Sequence, residues 1–240
     1  GGRPQPHRWT GGAGIVTRSL TLVALVVVLA VPSVRGGEIP EAIVVLEAAS
    51  GLPDSVPSAA PPRFVLRRDR QVFVGGSEKI YSGLLEKDEA KAIERRLEAL
   101  AKSGVLDAPA SFGGDTDTQY RLRLPRESER DVVITGDPAS APPALQGLAA
   151  LVTDLLGFDH PTLRPWAPAE YAVSAREGEL AGGCRAWLLA LPFDRVLAGP
   201  QRIPVAEAER WPAGSDPASV CEDGRRYVVT FRPLLPGEHP

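Results

Sequence analysis

Residues 63–74, RFVLRRDRQVFV, place apolar side chains on both sides of a polar centre, a pattern that predicts a β-hairpin. A helix is predicted next, over residues 86–102, because its apolar residues recur at steps of three and four. Those residues are Ala90, Ile93, Leu97 and Leu100. Gly104 follows where a helix C-cap favours a residue that is free to adopt positive φ. This part of the chain is therefore predicted to be a hairpin followed by an amphipathic helix.

The same order of elements returns downstream. Residues 120–124 alternate apolar and basic side chains, and a polar turn separates them from the β-branched residues 132–134, which predicts a second hairpin. A second helix is predicted from Pro142, which suits a first turn, to Gly157. With a first strand over residues 41–47, the predicted fold class is α+β: an antiparallel sheet of two hairpin-helix (ββα) units with both helices on one face. The other face of such a sheet can face solvent or meet a partner.

The last third of the chain is predicted to be a β-rich extension. Strands are expected over residues 171–176 and 226–232, and a short helix over residues 205–211, with Gly- and Pro-rich loops between them. The chain has two cysteines, Cys184 and Cys221. An even pair in an exported protein is most simply a disulfide, and their spacing matches neither a redox motif nor a metal site.

Residues 20–31, LTLVALVVVLAV, are a short apolar run that follows basic residues and precedes small ones. These are the parts of a secretory signal, whereas a membrane span needs about 20 apolar residues. Cleavage of the signal is expected, and an uncleaved signal anchor is the alternative. Three segments are thus predicted: a signal segment (1–37), an α+β body (38–160) and a disulfide-tied extension (161–240). One continuous domain is preferred over a separate C-terminal lobe, but both interpretations are open.

Composition excludes two broad classes of protein. Of the 240 residues, 43% are hydrophobic and 24% are charged, which is enough apolar material for a core and argues against a disordered tail. The formal net charge is −3, and Lys and Arg are interleaved with Asp and Glu. Nucleic-acid binders concentrate basic charge on one face, so a nucleic-acid partner is not expected.

Several stretches together resemble a group of exported bacterial proteins of unknown function. They are PRFVL (62–66), QVFV (71–74), SGVLD (103–107), YRLRL (120–124), APPALQGLAALV (141–152) and YVVTFRPLLPGE (227–238). The resemblance covers most of the chain after the signal segment and implies no activity and no catalytic residue. Similar proteins often have Asp-Gly at the first hairpin turn, where this chain has Asp69 and Arg70. The type of that turn is therefore left open.

No catalytic motif is found in the sequence. There is no G-x-S-x-G, no phosphate-binding G-x-x-x-x-G-K-[ST] and no H-E-x-x-H. A Ser-His-Asp-type triad would have to use His160, which follows Asp159 and is more simply a surface residue. Asp115 and Asp117, in GGDTD, are the best candidates for a cation loop, although a turn stabilised by its own Asp side chains is favoured. No metal or cofactor is expected.

Three tryptophans are candidate ligand-binding residues. Trp166, Trp187 and Trp211 are of the type that stacks on sugars in exported binding modules. Packing beside prolines or under the C-terminal strands is the favoured interpretation, because large aromatic side chains are mainly core residues.

The sequence thus predicts an exported, extracytoplasmic, non-catalytic module that binds a protein, an envelope component or a small ligand. One alternative is a hydrolase without a known motif that uses carboxylates such as Asp115, Asp117 or Asp159; it would need a buried acid pair about 5 to 10 Å apart. Another is an envelope protein that is anchored in the membrane by its uncleaved signal.

Overall fold

An eight-stranded sheet forms the first part of the fold. The computed structural model describes residues 39, 41–49, 62–76, 79–125, 130–180, 182–211 and 217–240, so the predicted signal segment lies outside the described residues. The strands are β1 (Ala42–Ala49), β2 (Phe64–Arg67), β3 (Gln71–Gly75), β4 (Ile80–Leu84), β5 (Ala110–Gly113), β6 (Gln119–Leu124), β7 (Arg130–Gly136) and β8 (Arg164–Trp166). Their order is β5-β7-β6-β1-β2-β3-β4-β8, and all neighbours are antiparallel except β5 and β7.

Two helices cover one face of this first sheet. They are α1 (Lys87–Lys102) and α2 (Gln146–Leu156), and α2 follows a 3₁₀ turn that begins at Pro143. The main core lies between the helices and the sheet; its fully buried members include Leu46, Phe64, Leu66, Leu122, Ile134, Leu148 and Leu151. The predicted helices and their apolar faces are confirmed, and Gly104 adopts the expected positive φ, at 77°.

The opposite face of the central strands is also buried. Along β2, Phe64 and Leu66 face the helices, whereas Val65 between them belongs to a second cluster with Val45 of β1 and Phe73 of β3. Leu235, near the end of the chain, packs into that cluster. The second face is therefore not left to solvent along β1 to β3, where residues from the C-terminal region cover it.

A four-stranded antiparallel sheet, in the order β10-β9-β12-β11, forms the second part. Its strands are β9 (Glu170–Glu177), β10 (Gln201–Pro204), β11 (Ala218–Glu222) and β12 (Arg225–Pro233). Two short helices, α3 (Phe193–Ala198) and α4 (Val205–Ala208), accompany it. The disulfide between Cys184 and Cys221 is confirmed, and it ties the segment before α3 to β11. In the described part of the chain, no helix is long and apolar enough to cross a membrane.

A buried carboxylate lies where the two sheets meet. Glu238 is only 1% exposed and accepts hydrogen bonds from Arg232 Nη1 at 2.5 Å and from the N–H of Leu235 at 2.9 Å. Arg202 donates to its backbone oxygen at 2.6 Å. Burial raises the pKa of the Glu238 carboxyl, although the positive charges of Arg232 and Arg123 act in the opposite direction. Arg123 lies on β6 of the first sheet, so Glu238 interacts with residues of both sheets.

The α+β class with antiparallel sheets and few helices is confirmed, but the ββα units are not. β4 lies between the first hairpin and α1, and β5 precedes the second hairpin and pairs in parallel with β7. β8 belongs to the first sheet, because it pairs with β4, whereas the second sheet begins at β9. All described residues belong to one compact unit.

The turn of the first hairpin has three residues between β2 and β3. Arg70 occupies the left-handed region at φ 69°, the conformation that glycine adopts most readily. Its N–H donates to the carbonyl oxygen of Arg67 at 3.0 Å, and Asp69 Oδ1 accepts from the N–H of Gln71 at 3.0 Å. The chain thus places an arginine at a position with positive φ, and the Asp69 side chain helps to hold the turn.

Candidate functional site

A groove of about 680 Å³ lies between α2, the end of β7 and strand β6, and we call it the α2 groove. Four of the eleven described residues that line it are alanines, namely Ala139, Ala141, Ala149 and Ala150. The volume falls in the range of small-molecule sites, which are mostly apolar with a few polar groups. Because the α2 residues Ala149 and Ala150 have small side chains, they leave this depression open.

The chain directly after β7 positions one acidic rim of the α2 groove. Gly136 has φ 96°, and a Cβ there would lie 2.2 Å from the carbonyl oxygen of Gly113, so the close approach of β5 and β7 requires glycine. The N–H of Asp137 then donates to the Gly113 oxygen at 2.8 Å. Asp137 Oδ1 caps the 3₁₀ turn Pro138–Ser140 by accepting from the N–H of Ala139 at 2.9 Å. Both backbone and side chain therefore fix Asp137 at the rim.

Tyr120 of β6 is a buried polar residue that lines the α2 groove. It is 7% exposed, and its ring packs beside Phe112 at 6.4 Å between centroids. Burial raises the pKa of the Tyr120 hydroxyl, and the nearby carboxylate of Asp137 raises it further. Within the described part of the chain the Tyr120 hydroxyl makes no hydrogen bond. The ring is therefore buried in the wall of the groove, while the hydroxyl is accessible to solvent or to a ligand from the groove.

The polar lining of the α2 groove is acidic. Asp137 and Asp154 contribute two carboxylates, Gln146 and Thr153 are neutral, and no Lys, Arg or His is among the described residues that line it. Asp154 is neutralised by Arg96, whose Nη2 lies 2.8 Å from its Oδ2. Asp137 forms no ion pair within the described ranges. The groove therefore carries one uncompensated negative charge, close to the Tyr120 hydroxyl.

The predicted GGDTD loop lies beside this groove but does not line it. A Cβ at Gly114 would come within 3.1 Å of the Asp137 Cβ, so the loop abuts the acidic rim. Asp115 and Asp117 are exposed. In the described residues no three His, Cys, Asp or Glu side chains come together as a metal site. Asp159 is exposed as well, so these three acids do not form the buried pair that a carboxylate hydrolase requires.

His160 connects a loop to the start of α1. Its Nε2 lies 3.1 Å from Glu89 Oε1, and its Nδ1 lies 2.7 Å from Thr162 Oγ1. Glu89 also accepts a hydrogen bond from the N–H of Glu86 in a capping box. This bond is the main cause of the lowered pKa of Glu89, and the bond to His160 is the second cause. Thr162 Oγ1 donates to the carbonyl oxygen of Leu84 at 3.1 Å. The N–H of Thr162 also donates to His160 Nδ1 at 3.3 Å, so these bonds tie the loop to the end of β4 and the start of α1.

The three candidate tryptophans do not form one exposed platform. Trp211 is buried, and Trp187 packs against it at 5.7 Å in the core of the second sheet, with its Nε1 donating to the Leu191 oxygen. Trp166 lies elsewhere, edge-on to Phe73 of the first sheet at 5.5 Å. The structure therefore places them as packing residues, in keeping with the favoured interpretation.

Comparison with known proteins identifies no relative: no protein family, no curated protein and no solved structure gives a significant match. The resemblance to exported bacterial proteins stays a prediction. Sequence reasoning also missed the α2 groove. Asp137 followed by Pro138 is a capping signal that could have drawn attention to the rim, whereas Tyr120 looks like an ordinary strand residue.

Proposed function

We propose that this chain is an exported, non-catalytic binding module that holds a small ligand in the α2 groove. The observation that carries the proposal is the buried Tyr120, which lines the groove while its hydroxyl has no hydrogen-bond partner in the described part of the chain. Because this hydroxyl is accessible and can both donate and accept a hydrogen bond, it can orient a ligand that lies in the groove. The remaining polar lining, at Asp137, Gln146 and Thr153, is the kind that orients a bound molecule.

The groove favours binding over catalysis. Thr153 is the one aliphatic hydroxyl of its lining, and no imidazole, thiol or amine from the described residues accompanies it there. A hydroxyl nucleophile needs an adjacent base, and a carboxylate mechanism needs a buried acid pair. Asp154 is engaged by Arg96, which leaves Asp137 as a single acid.

Export is supported by two separate features. The disulfide suggests an oxidising, extracytoplasmic environment. The apolar residues 20–31 add the pattern of a secretory signal. Intact mass of the protein recovered from a producing cell tests this part: loss of the signal segment supports a secreted module, full length in the membrane fraction supports the anchored alternative, and full length in the cytosol contradicts export.

Ligand binding is tested with three probes that share one apolar body: benzylamine, benzyl alcohol and benzoate. Each is titrated to about 10 mM, the affinity range expected of ligands this small, while backbone amide shifts are followed by NMR. At least one probe should saturate, with its shifts confined to residues 136–141, 146–156 and the neighbourhood of Tyr120. Absence of saturable shifts there with all three probes contradicts the proposal.

A groove-filling variant makes this experiment specific. Ala150 lies on the exposed side of α2 in the groove, so Ala150→Trp should abolish the shifts without disturbing the core. Ala92→Trp, at an exposed position of α1 that does not line the groove, is the matched control and should bind like the wild type. Equal binding by both variants would place the probe outside the groove and overturn the proposal.

A further inference from the structure

The charged residues that line the α2 groove are acidic. Its lining carries two carboxylates and, among the described residues, no basic group. Arg96 compensates Asp154 at 2.8 Å, which leaves the charge of Asp137 without a counter-ion in the described structure. An anionic ligand would meet this charge at the rim, so repulsion disfavours it, whereas a cation would be attracted.

Two oxygen acceptors in the lining of the groove, on Asp137 and Tyr120, can accept hydrogen bonds from a cation. Asp137 Oδ1 is used by the N–H of Ala139, but Oδ2 makes no hydrogen bond within the described residues. The Tyr120 hydroxyl lines the same groove as this carboxylate and has no hydrogen-bond partner among the described residues. An ammonium group has three donors and no acceptor, and its hydrogen bonds to a carboxylate are among the stronger ones in proteins.

The rest of the groove fits an apolar body. Ala141, Ala149 and Leu156 line it, and these side chains have no groups with which to bond to a polar or highly hydroxylated ligand. We infer that the α2 groove selects a small organic cation, with a protonated amine held between Asp137 and the Tyr120 hydroxyl and a compact apolar body lying on the alanines. This inference rests on the proposed function, because it names the ligand class of the same groove.

The same three probes test the inference by their order of affinity. At neutral pH benzylamine is a cation, benzyl alcohol is neutral and benzoate is an anion, on the same ring. Benzylamine should bind at least about fivefold more tightly than benzyl alcohol, the ratio expected of one charge pair in a largely solvated site. Raising the salt concentration from about 50 to 500 mM should weaken benzylamine binding and leave benzyl alcohol binding unchanged.

Asp137→Asn removes the charge but keeps an oxygen that can cap the 3₁₀ turn. It should weaken benzylamine binding to the level of benzyl alcohol. Asp69→Asn is the matched control, because Asp69 Oδ1 also accepts the N–H two residues ahead and its substitution changes the net charge equally. This control should bind benzylamine like the wild type.

The outcomes separate the inference from the proposed function. If benzyl alcohol or benzoate binds in the groove as tightly as benzylamine, the groove is a ligand site but the inference falls. An equal effect of the Asp137 and Asp69 variants would assign the preference to overall charge and overturn it too. If no probe binds, the proposed function itself fails. The salt dependence is measured on the wild-type protein, so the inference is testable even if a variant does not fold.

Discussion

The two sheets of this protein obtain their cores in different ways. The first sheet is covered by α1 and α2, of 16 and 11 residues, whose aliphatic side chains pack on regularly alternating strands. The second has helices of only 6 and 4 residues, and aromatic rings fill its core. These rings are Trp187, Trp211, Phe193, Tyr227 and Phe231. A long amphipathic helix gains its stability from packing along its length. Where the helices are too short for that, large rings and a disulfide supply the stabilisation.

The largest expected effect comes from emptying the aliphatic core of the first sheet. Leu122 of β6 is fully buried there, so Leu122→Ala should lower the free energy of unfolding by about 3 to 4 kcal/mol. Urea denaturation measures the loss. Leu188→Ala is the control, since Leu188 is 49% exposed and its truncation should change stability by less than about 0.5 kcal/mol. Equal losses in the two variants would mean that burial does not determine the stability of this region.

Removing the disulfide should act on the second sheet. The bond joins cysteines 37 residues apart, and the double variant Cys184→Ala/Cys221→Ala should lose up to about 3 to 4 kcal/mol, mostly through the unfolded state. Hydrogen exchange should show a greater loss of protection in β9 to β12 than in β1 to β7. The Leu122→Ala variant is the reference, because its loss should be centred on the first sheet. Uniform loss in the double variant would show that the two sheets unfold as a single cooperative unit.

The smallest effect is expected at the junction between the sheets, at Glu238. Burial raises its folded pKa above the ordinary value of 4.5, so the folded state holds a proton that the unfolded state has lost. Its contribution to stability is therefore complete below pH 4.5 and is lost as the pH rises through the folded pKa. Compared with Glu238→Gln, the wild type should lose free energy of unfolding from pH 4 to pH 7. At any pH the variant also leaves the buried Arg232 without its counter-ion, so the prediction concerns the change in relative stability with pH.

This pH dependence is measured by urea denaturation of both proteins across that range. Glu177→Gln, at an exposed position of β9, controls for the change of charge. A wild type that gains stability relative to Glu238→Gln as the pH rises would show that the bond to Arg232 outweighs burial.

Regular periodicity made the first part of the fold predictable. The helices and the two hairpins follow from apolar spacing, since each element buries one continuous face. β4 was missed because IYSGL contains a glycine and is mostly not buried, so it lacks the pattern of a strand. β11 was missed although Asp223 and Gly224, with φ of 48° and 75°, form the Asp-Gly turn that typically joins two strands. The sequence therefore contained a signal for the hairpin of β11 and β12, and the prediction of a loop in place of β11 was wrong.

The candidate site was less predictable than the fold. The α2 groove joins Tyr120, Asp137 and Ala150, which come from a strand, a turn and a helix, and the sequence does not indicate how these elements pack. Tyr120 becomes notable only when its place in the groove wall and the lack of a partner for its hydroxyl are known. The disulfide, by contrast, was predictable, because two cysteines allow a single pairing.

The position of Leu235 has a consequence for the order of assembly. Val45, Val65 and Phe73 of the first sheet share a cluster with a residue that is synthesised more than 160 positions later than any of them. A chain that emerges from its amino end can form the helix-covered side early, but the other side stays uncovered until residue 235 has appeared. During this interval an apolar strand surface is exposed to neighbouring chains, and such surfaces promote aggregation. Completion of this fold is thus delayed by its topology, and a nascent chain would benefit from a chaperone over β1 to β3.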